Sequence, residues 1–237
     1  MRLDKLLSNM GFGSRKDVKV QVKKKLVTVN NSIVKDSGMK VNPEKDLIMV
    51  GEEVVKYKPY IYLMMHKPPG VISATEDRYD KTVIDLLPSE YQHYKPFPVG
   101  RLDKDTEGLL LITNDGQLAH QLLSPKKDVE KTYYARISGH VSDEDVLAFA
   151  AGVTLEDGYE TKSAKLKILS AGSESEIEVS ITEGKFHQVK RMFDAVGKKV
   201  VYLKRLSMGK LDLDESLRLG AYRELNEEEL IYCKSIK

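Results

Sequence analysis

The sequence predicts an α+β protein in which a small basic N-terminal domain precedes a larger domain, built on a mainly antiparallel mixed sheet with flanking helices. Two observations indicate this. Segments in which apolar and polar residues alternate, as in a sheet with one covered face, are interspersed with segments at helical spacing. The charge is also uneven, because residues 1–58 hold 13 Lys and Arg against 7 Asp and Glu, whereas the rest holds 25 against 29. We therefore expect two domains, 1–58 and 59–237.

The N-terminal domain is predicted to contain two short helices followed by short strands. Apolar residues recur at helical spacing through residues 3–10, and Ser14 with Asp17 three residues later indicates the N-cap of a second helix ending near Lys25. Residues 27–34 then alternate as small strands around an Asn-Asn turn. The second helix carries a basic stripe, formed by Lys16, Lys19, Lys23 and Lys24. Such a stripe suits phosphate binding, and a solvated basic face is the other interpretation.

Beyond residue 58, short predicted strands alternate with predicted helices. The strands are expected at residues 60–65, 109–113, 133–137 and 177–181. The helices are expected at residues 82–87 and 117–123, after the N-cap Ser142, and at 187–197. In the last helix one face is apolar and should pack on the core, through Val189, Met192, Phe193 and Val196. Its polar face carries His187, Lys190, Arg191 and Asp194.

A polar loop at residues 100–108 places Asp103 beside Arg101, directly before the apolar run 109–112. A carboxylate in such a loop can stay ionised in a partly dry pocket if a cation pairs with it, and the basic helix at 187–197 can supply one. The bland alternative is an exposed loop salt bridge, which contributes less than about 1 kcal/mol. In the functional interpretation Asp103 is the reactive group of a site that needs no metal.

The same loop also imitates two metal sites. Its alternating acids match the start of a calcium loop, but the twelfth position is Asn114 instead of the bidentate Glu that such loops require. The run Asp103-Lys104-Asp105-Thr106 matches the nucleophile motif of magnesium-dependent phosphotransferases, although a poor strand precedes it and no acidic cluster follows to hold the metal. We therefore expect no metal here, and we expect Asp105 and Glu107 to be solvated.

Four segments, in order along the chain, resemble motifs of the RsuA-type ribosomal pseudouridine synthases. Residues 100–110 resemble the family's aspartate loop, 63–70 its Lys-Pro-x-Gly turn, 130–133 its Lys-x-Tyr motif, and 183–193 its C-terminal basic helix. Residues 1–58 resemble the small RNA-binding domain shared by a small-subunit ribosomal protein and some tRNA synthetases. The resemblance covers nearly the whole chain and implies isomerisation of uridine to pseudouridine in RNA.

The resemblance also implies roles for individual residues. Asp103 matches the catalytic aspartate, which assists cleavage of the glycosidic bond by attacking the sugar or by removing a sugar proton. Tyr133 matches the tyrosine that stacks on the target base, and Lys190 matches the basic residue paired with the aspartate, where related families often have Arg. Arg101 matches a residue that enters the space left by the flipped nucleotide. Further RNA contacts are expected from Arg2, Lys5, Arg15, Lys16, Lys19, Lys23, Lys67, His187, Gln188 and Arg191.

The residues at 186–192 resemble the branch that modifies small-subunit (16S) ribosomal RNA, so this RNA or its assembly intermediate is the expected partner. A synthase for large-subunit RNA, a non-catalytic ribosome-assembly protein and the magnesium phosphotransferase are the alternatives. Isomerisation has no redox step and loses no group, so no cofactor is implied. A cytoplasmic monomer is expected, with neither the roughly 18 apolar residues of a membrane span nor a secretion signal. The single Cys233 excludes an internal disulfide.

Overall fold

The computed structural model describes residues 1–236, and the chain divides into two compact units. The first consists of Met1–Ile61 with Leu87–Pro96, and the second of Tyr62–Leu86 with the segment that begins at Phe97. Both mix helices with strands, which confirms the α+β prediction, while the boundary expected at residue 58 stays a prediction. No helix within residues 1–236 is long and apolar enough to cross a membrane.

The first unit combines two helices with a four-stranded antiparallel sheet. The helices are α1 (Leu3–Asn9) and α2 (Arg15–Lys23). The strands are β1 (Val27–Val29), β2 (Ser32–Ile33), β3 (Ile48–Val50) and β4 (Glu53–Val54). Their order across the sheet is β2-β1-β3-β4. Apolar side chains from both helices and from the strands form one buried core, which includes Leu3, Leu6, Leu7, Val18, Val22, Val27 and Ile48.

Local sequence signals explain the helix and turn boundaries of this unit. Ser14 begins α2 with a capping box, since its amide donates to the Asp17 carboxylate (2.8 Å) and the Asp17 amide donates to its hydroxyl (3.3 Å). The helix ends slightly before the predicted end because Lys25 has a left-handed backbone, with φ of 60°. Asn30 and Asn31 also have positive φ, 51° and 62°, as the tight hairpin between β1 and β2 requires.

The second unit is built on a nine-stranded mixed sheet. Its strands are β5 (Tyr62–Lys67), β6 (Phe97–Val99), β7 (Glu107–Thr113), β8 (Lys131–Ser138), β9 (Lys165–Ser170), β10 (Glu174–Ile181), β11 (Lys199–Met208), β12 (Leu211–Asp212) and β13 (Tyr222–Glu224). The order is β13-β5-β7-β11-β8-β10-β9, and β6 and β12 pair with β7 and β11. Neighbouring strands pair antiparallel except β7 and β11, which run parallel.

Four helices accompany this sheet, namely α3 (Gly116–Leu123), α4 (Asp143–Ala151), α5 (Gln188–Ala195) and α6 (Glu227–Ser235). Leu118 and Leu122 of α3 share a buried core with Leu109 and Leu111 of β7. The aromatic rings of Phe149 in α4 and Phe193 in α5 pack with centroids 4.8 Å apart. The helix expected at 82–87 is only a 3-10 turn, Ile84–Leu86, because the proline at position 88 disfavours helical conformations just before it.

The parallel contact between β7 and β11 fixes where the aspartate loop enters the sheet. Gly108, the second residue of β7, pairs with Arg205 of β11 and has a positive φ of 110°. A Cβ atom at this position would collide with the backbone of Arg205, so only glycine fits. The loop at residues 100–106 therefore ends at a point where two backbones touch, which makes its exit rigid.

Candidate active site

The backbone on the N-terminal side of Asp103 is fixed by a serine that comes much earlier in the chain. Ser73 is buried, and its hydroxyl donates to the carbonyl of Leu102 (2.9 Å) and accepts from the amide of Leu102 (3.0 Å). On the other side, the Thr106 amide donates to the Asp103 carbonyl (3.1 Å). Sequence reasoning missed Ser73, because nothing near it in the chain indicates a partner 29 residues away.

Lys67 supports the same loop from inside the protein. Its side chain is fully buried at the end of β5, and its ammonium donates to the carbonyls of Thr106 (2.8 Å), Pro68 (3.0 Å) and Lys104 (3.4 Å). Burial lowers the pKa of Lys67 to about 8, against the opposing effect of the nearby carboxylates, Asp103 first. The expectation that Lys67 contacts RNA is therefore wrong, because no part of this side chain reaches the surface.

Asp103 and Lys190 meet at the start of α5. The Lys190 ammonium lies 3.2 Å from Oδ2 of Asp103 and 2.6 Å from Oδ1 of Asp105. Burial alone would lower the pKa of Lys190, but the hydrogen bond to Asp105 and the charge of Asp103 together raise it. The His187 Nε2 lies 3.7 Å from Oδ1 of Asp103 on another side. Asp103 therefore faces two basic groups while a quarter of its side chain, 25%, stays exposed.

The other two acids of the loop are not merely solvated, contrary to the expectation from the sequence. Asp105 is exposed and bonds to Lys190. Partial burial is the largest single effect and would raise the pKa of Asp105, but the hydrogen bond and the charge of Lys190 together outweigh it, so the pKa is lowered. Glu107 accepts a hydrogen bond from the Tyr202 hydroxyl (2.7 Å) on β11. Within residues 1–236 no cluster of three or more acidic, His or Cys side chains has a metal-binding arrangement.

Tyr133 lies on β8, one strand beyond β11 as seen from the aspartate loop. It pairs with Arg205, which in turn pairs with Gly108, so these three positions form one row across the sheet. Only 8% of Tyr133 is exposed. Arg205 is buried too, and its Nε donates to the carbonyl of Leu109 (2.8 Å) while its Nη2 has no hydrogen-bond partner among the described residues.

Two of the residues expected to bind RNA have partners within the protein. Gln188 is buried, where its side-chain amide donates to Glu183 (2.5 Å) and its carbonyl accepts from the Lys185 amide (2.8 Å). The Arg191 guanidinium forms ion pairs with Glu156 (2.7 Å) and with the neighbouring Asp157 (2.5 Å), which leaves its side chain mostly covered. The RNA contact expected of Gln188 is wrong because that side chain is buried and its amide binds protein groups, whereas the contact expected of Arg191 stays a prediction.

The remaining predicted RNA contacts are exposed, except His187, which is half-buried beside Asp103. Arg101 is exposed beside Asp103, and α1 and α2 expose Lys5, Lys16, Lys19 and Lys23. Arg2 and Arg15 both bind the Asp4 carboxylate, at 2.9 Å and 2.8 Å, and keep about half of each side chain exposed. The hydrogen bond from Arg2 is the main cause that lowers the pKa of Asp4 to about 2. These two arginines are therefore fixed in direction before any ligand arrives.

Comparison with known proteins agrees with this geometry. The family described as RNA pseudouridylate synthase matches residues 61–195, and the S4 domain matches residues 1–48. An uncharacterised RNA pseudouridine synthase of Bacillus subtilis is 55% identical over 231 residues, covering 97% of each chain. The ribosomal small subunit pseudouridine synthase A of Escherichia coli is 38% identical over 231 residues, covering 97% of this chain and 98% of that protein.

A solved structure agrees as well. A crystal structure of a pseudouridylate synthase superposes with a TM-score of 0.69 at 35% identity, covering 98% of this chain and 99% of that chain. The family match spans more than half of the sequence, and the relatives align over nearly its full length. The resemblance seen in the sequence motifs is thus confirmed. The chain belongs to the RNA pseudouridylate synthase family and is an isomerase that acts on RNA.

Proposed function

We propose that this enzyme converts a specific uridine of small-subunit (16S) ribosomal RNA into pseudouridine, with Asp103 as the catalytic group. The observation that carries the proposal is the ion pair between Asp103 and Lys190, whose charged atoms lie 3.2 Å apart. Full-length relatives named for the ribosomal small subunit support the choice of RNA.

The reaction exchanges one bond to the ribose for another. The bond between N1 and C1′ breaks, the uracil rotates, and a bond between C5 and C1′ forms, while C5 loses a proton and N1 gains one. Asp103 assists the first step by attacking C1′ or by removing a ribose proton, and either role requires a carboxylate. Lys190 compensates its charge and fixes its position, so little reorganisation is needed when charge develops on the sugar.

The target uridine must leave its stack before this carboxylate can reach the ribose. Extruding a nucleotide costs a few kcal/mol, and stacking the base on an aromatic ring returns about 1–3 kcal/mol. Tyr133 is the aromatic residue placed in the row that begins at Gly108, which supports its assignment as the stacking partner. Arg101, exposed in the same loop, is assigned to the space that the flipped nucleotide vacates.

The first unit supplies a second grip on the RNA in this proposal. Its match to the S4 domain and the exposed stripe on α2 support phosphate binding by Lys16, Lys19 and Lys23. Such contacts carry little sequence information, so they position the RNA while the second unit selects the uridine.

The proposal is tested by mapping pseudouridines in both ribosomal RNAs of cells that lack the gene, then restoring the wild type or Asp103→Asn. We expect one small-subunit uridine to lose its modification, to regain it with the wild type and to remain unmodified with Asp103→Asn. Loss of a large-subunit site instead would show that the substrate is large-subunit RNA. No loss at any site would refute the proposal. If Asp103→Asn restores the lost pseudouridine, Asp103 is not the catalytic group.

Two further positions separate Asp103 from its surroundings. Asp105→Asn removes the other carboxylate that binds Lys190, and we expect it to retain most activity because 74% of that side chain is exposed. Lys190→Ala leaves Asp103 without this cation and should lower kcat by about a hundredfold, whereas Lys190→Arg keeps a cation there. Tritium release from RNA labelled at C5 of uridine measures each rate. Equal losses for Asp105→Asn and Asp103→Asn would contradict the choice of Asp103.

A further inference from the structure

Phe186 is a large apolar side chain on the surface of the second unit, with 67% of its area exposed. Burying a phenylalanine stabilises a fold, so this position forgoes a stabilisation that most aromatic residues provide. One face of the ring is nevertheless occupied, because the imidazole of His187 stacks on it with centroids 3.8 Å apart and planes 19° apart. The ring is therefore held in one orientation.

Buried polar contacts fix the segment that carries Phe186. The Glu183 carboxylate is buried and accepts from the Gln188 amide (2.5 Å), the Tyr159 hydroxyl (2.7 Å) and a backbone amide at position 162 (3.0 Å). The Lys185 ammonium lies 4.5 Å from the centre of the Tyr159 ring, and the Lys185 amide donates to Gln188. The segment is thus already ordered, so a ligand that binds to it causes little further loss of conformational entropy. This favours a binding role over a mobile surface loop.

The stack also connects Phe186 to the catalytic loop. His187 has a left-handed backbone, with φ of 49°, which turns its ring between Phe186 and Asp103. The imidazole Nε2 lies 3.7 Å from Oδ1 of Asp103 on one side, and its face covers Phe186 on the other. A planar group that stacks on the outer face of Phe186 is therefore placed at a fixed offset from Asp103.

We infer that Phe186 stacks on the nucleobase next to the target uridine and so determines which uridine reaches Asp103. This inference rests on the proposed role of Asp103. A nucleobase fits better than a protein side chain, because the enzyme acts on RNA and every base presents a face for stacking. In the surrounding segment, residues 185–210, three lysines are exposed, which suits a polyanion, namely Lys185, Lys199 and Lys210. Phe186 is thus a positioning residue that contacts the RNA without touching the reacting atoms.

The kinetic test compares Phe186→Ala, Phe186→Leu and Phe186→Tyr with the wild type on transcribed small-subunit RNA labelled at C5 of uridine. Stacking that is equal in the ground state and the transition state raises KM when removed and leaves kcat unchanged. We expect KM to rise on the order of ten- to a hundredfold for Phe186→Ala, to remain raised for Phe186→Leu, and to return to the wild-type value for Phe186→Tyr. Leu147→Ala, on α4 and 70% exposed, is the matched control and should change neither constant.

Three outcomes would overturn the inference. An unchanged KM for Phe186→Ala would show that Phe186 does not stack on the RNA. Full function of Phe186→Leu would show that apolar packing, and not aromatic stacking, is what the site requires. A fall in kcat at constant KM, with no rescue by Phe186→Tyr, would assign the effect to displacement of His187 and Asp103 instead. Circular dichroism and melting temperatures of all variants exclude a folding defect as the cause.

A binding experiment separates this inference from the proposed function. In the Asp103→Asn background no turnover occurs under the proposed mechanism, and a short oligouridine carrying one 2-aminopurine reports stacking by fluorescence quenching. We expect the wild-type Phe186 to quench the probe and Phe186→Ala to bind it more weakly with little quenching. Equal quenching by both refutes the stacking role. If ribosomal RNA releases no tritium with the wild type while quenching depends on Phe186, the proposed substrate fails and the stacking inference stands.

Discussion

The pH dependence of stability provides a sharp test of the buried Lys67. Its pKa is lowered to about 8 in the folded protein from 10.5 for an exposed lysine, chiefly by burial. Between these two values the unfolded chain binds a proton that the folded chain does not, so folding becomes more favourable as pH rises. This gain in unfolding free energy is therefore fully present only above pH 10.5 and is lost as pH falls through about 8. Lys67→Met has no ionisable group and lacks this gain.

The size of the effect follows from these two values. A difference of 2.5 pKa units corresponds to about 3 kcal/mol over the whole range, of which about 2 kcal/mol falls between pH 7.5 and pH 10. We therefore expect the stability gap, defined as the unfolding free energy of the wild type minus that of Lys67→Met, to increase by about 2 kcal/mol over this interval. Urea unfolding of both proteins at each pH measures the gap, and groups that titrate in both proteins cancel in the difference.

A lysine of the same loop supplies the control. The Lys104 side chain is 54% exposed and pairs with Asp80 at the surface (2.6 Å), so Lys104→Met, which removes an exposed lysine from the same loop, is the matched variant measured beside Lys67→Met. A constant or shrinking gap for Lys67→Met would show that the ammonium is hydrated in solution, and would refute the buried support of the aspartate loop. A changed urea m-value would show a different degree of exposure on unfolding and would require a new comparison.

Two further predictions concern the fold and the RNA grip. Gly108→Ala places a Cβ against the backbone of Arg205 at a positive φ, and it should lower the unfolding free energy by about 3 kcal/mol or more. Gly158→Ala, with a positive φ but open space, should cost only about 1 kcal/mol, and similar melting temperatures for the two variants would contradict the collision. Replacing the α2 lysines by Ala should weaken RNA binding and reduce the slope of log K against log salt by up to about 0.7–0.9 for each phosphate that is no longer neutralised, at Lys16, Lys19 and Lys23. Lys45→Ala is the control for this series, and an unchanged slope in the triple variant would place the grip elsewhere.

Features that depend on neighbours in sequence were predictable. The capping box at Ser14 and the one at Ser142 follow from an acid three residues later, and both are present. The apolar face of α5 follows from helical spacing, and Val189, Met192 and Phe193 are indeed buried. The contact between Asp103 and a cation of α5 could be predicted, because the loop contains a carboxylate that needs a partner and the basic helix offers one.

Features that depend on distant parts of the chain were not predictable. A lysine before a Pro-Pro-Gly turn is normally solvated, and Lys67 is buried only because a loop 37–39 residues later closes over it. Arg191 shares the polar face of α5 with Lys190, yet its carboxylate partners come from the segment at 156–157, much earlier in the chain. The strand β11 was missed because two bulges interrupt its alternation, next to Val200 and Arg205.

The two lysines that hold the aspartate loop need charge to different degrees, and the fold treats them accordingly. Lys67 binds backbone carbonyls, which require hydrogen-bond donors, so a neutral amine with two N–H groups can still bind two of its three partners. Lys190 binds two carboxylates, which require a cation, and these carboxylates raise its pKa while burial lowers that of Lys67. As pH rises, Lys67 beneath the loop therefore loses its charge before Lys190 does, and Asp103 keeps a cation beside it.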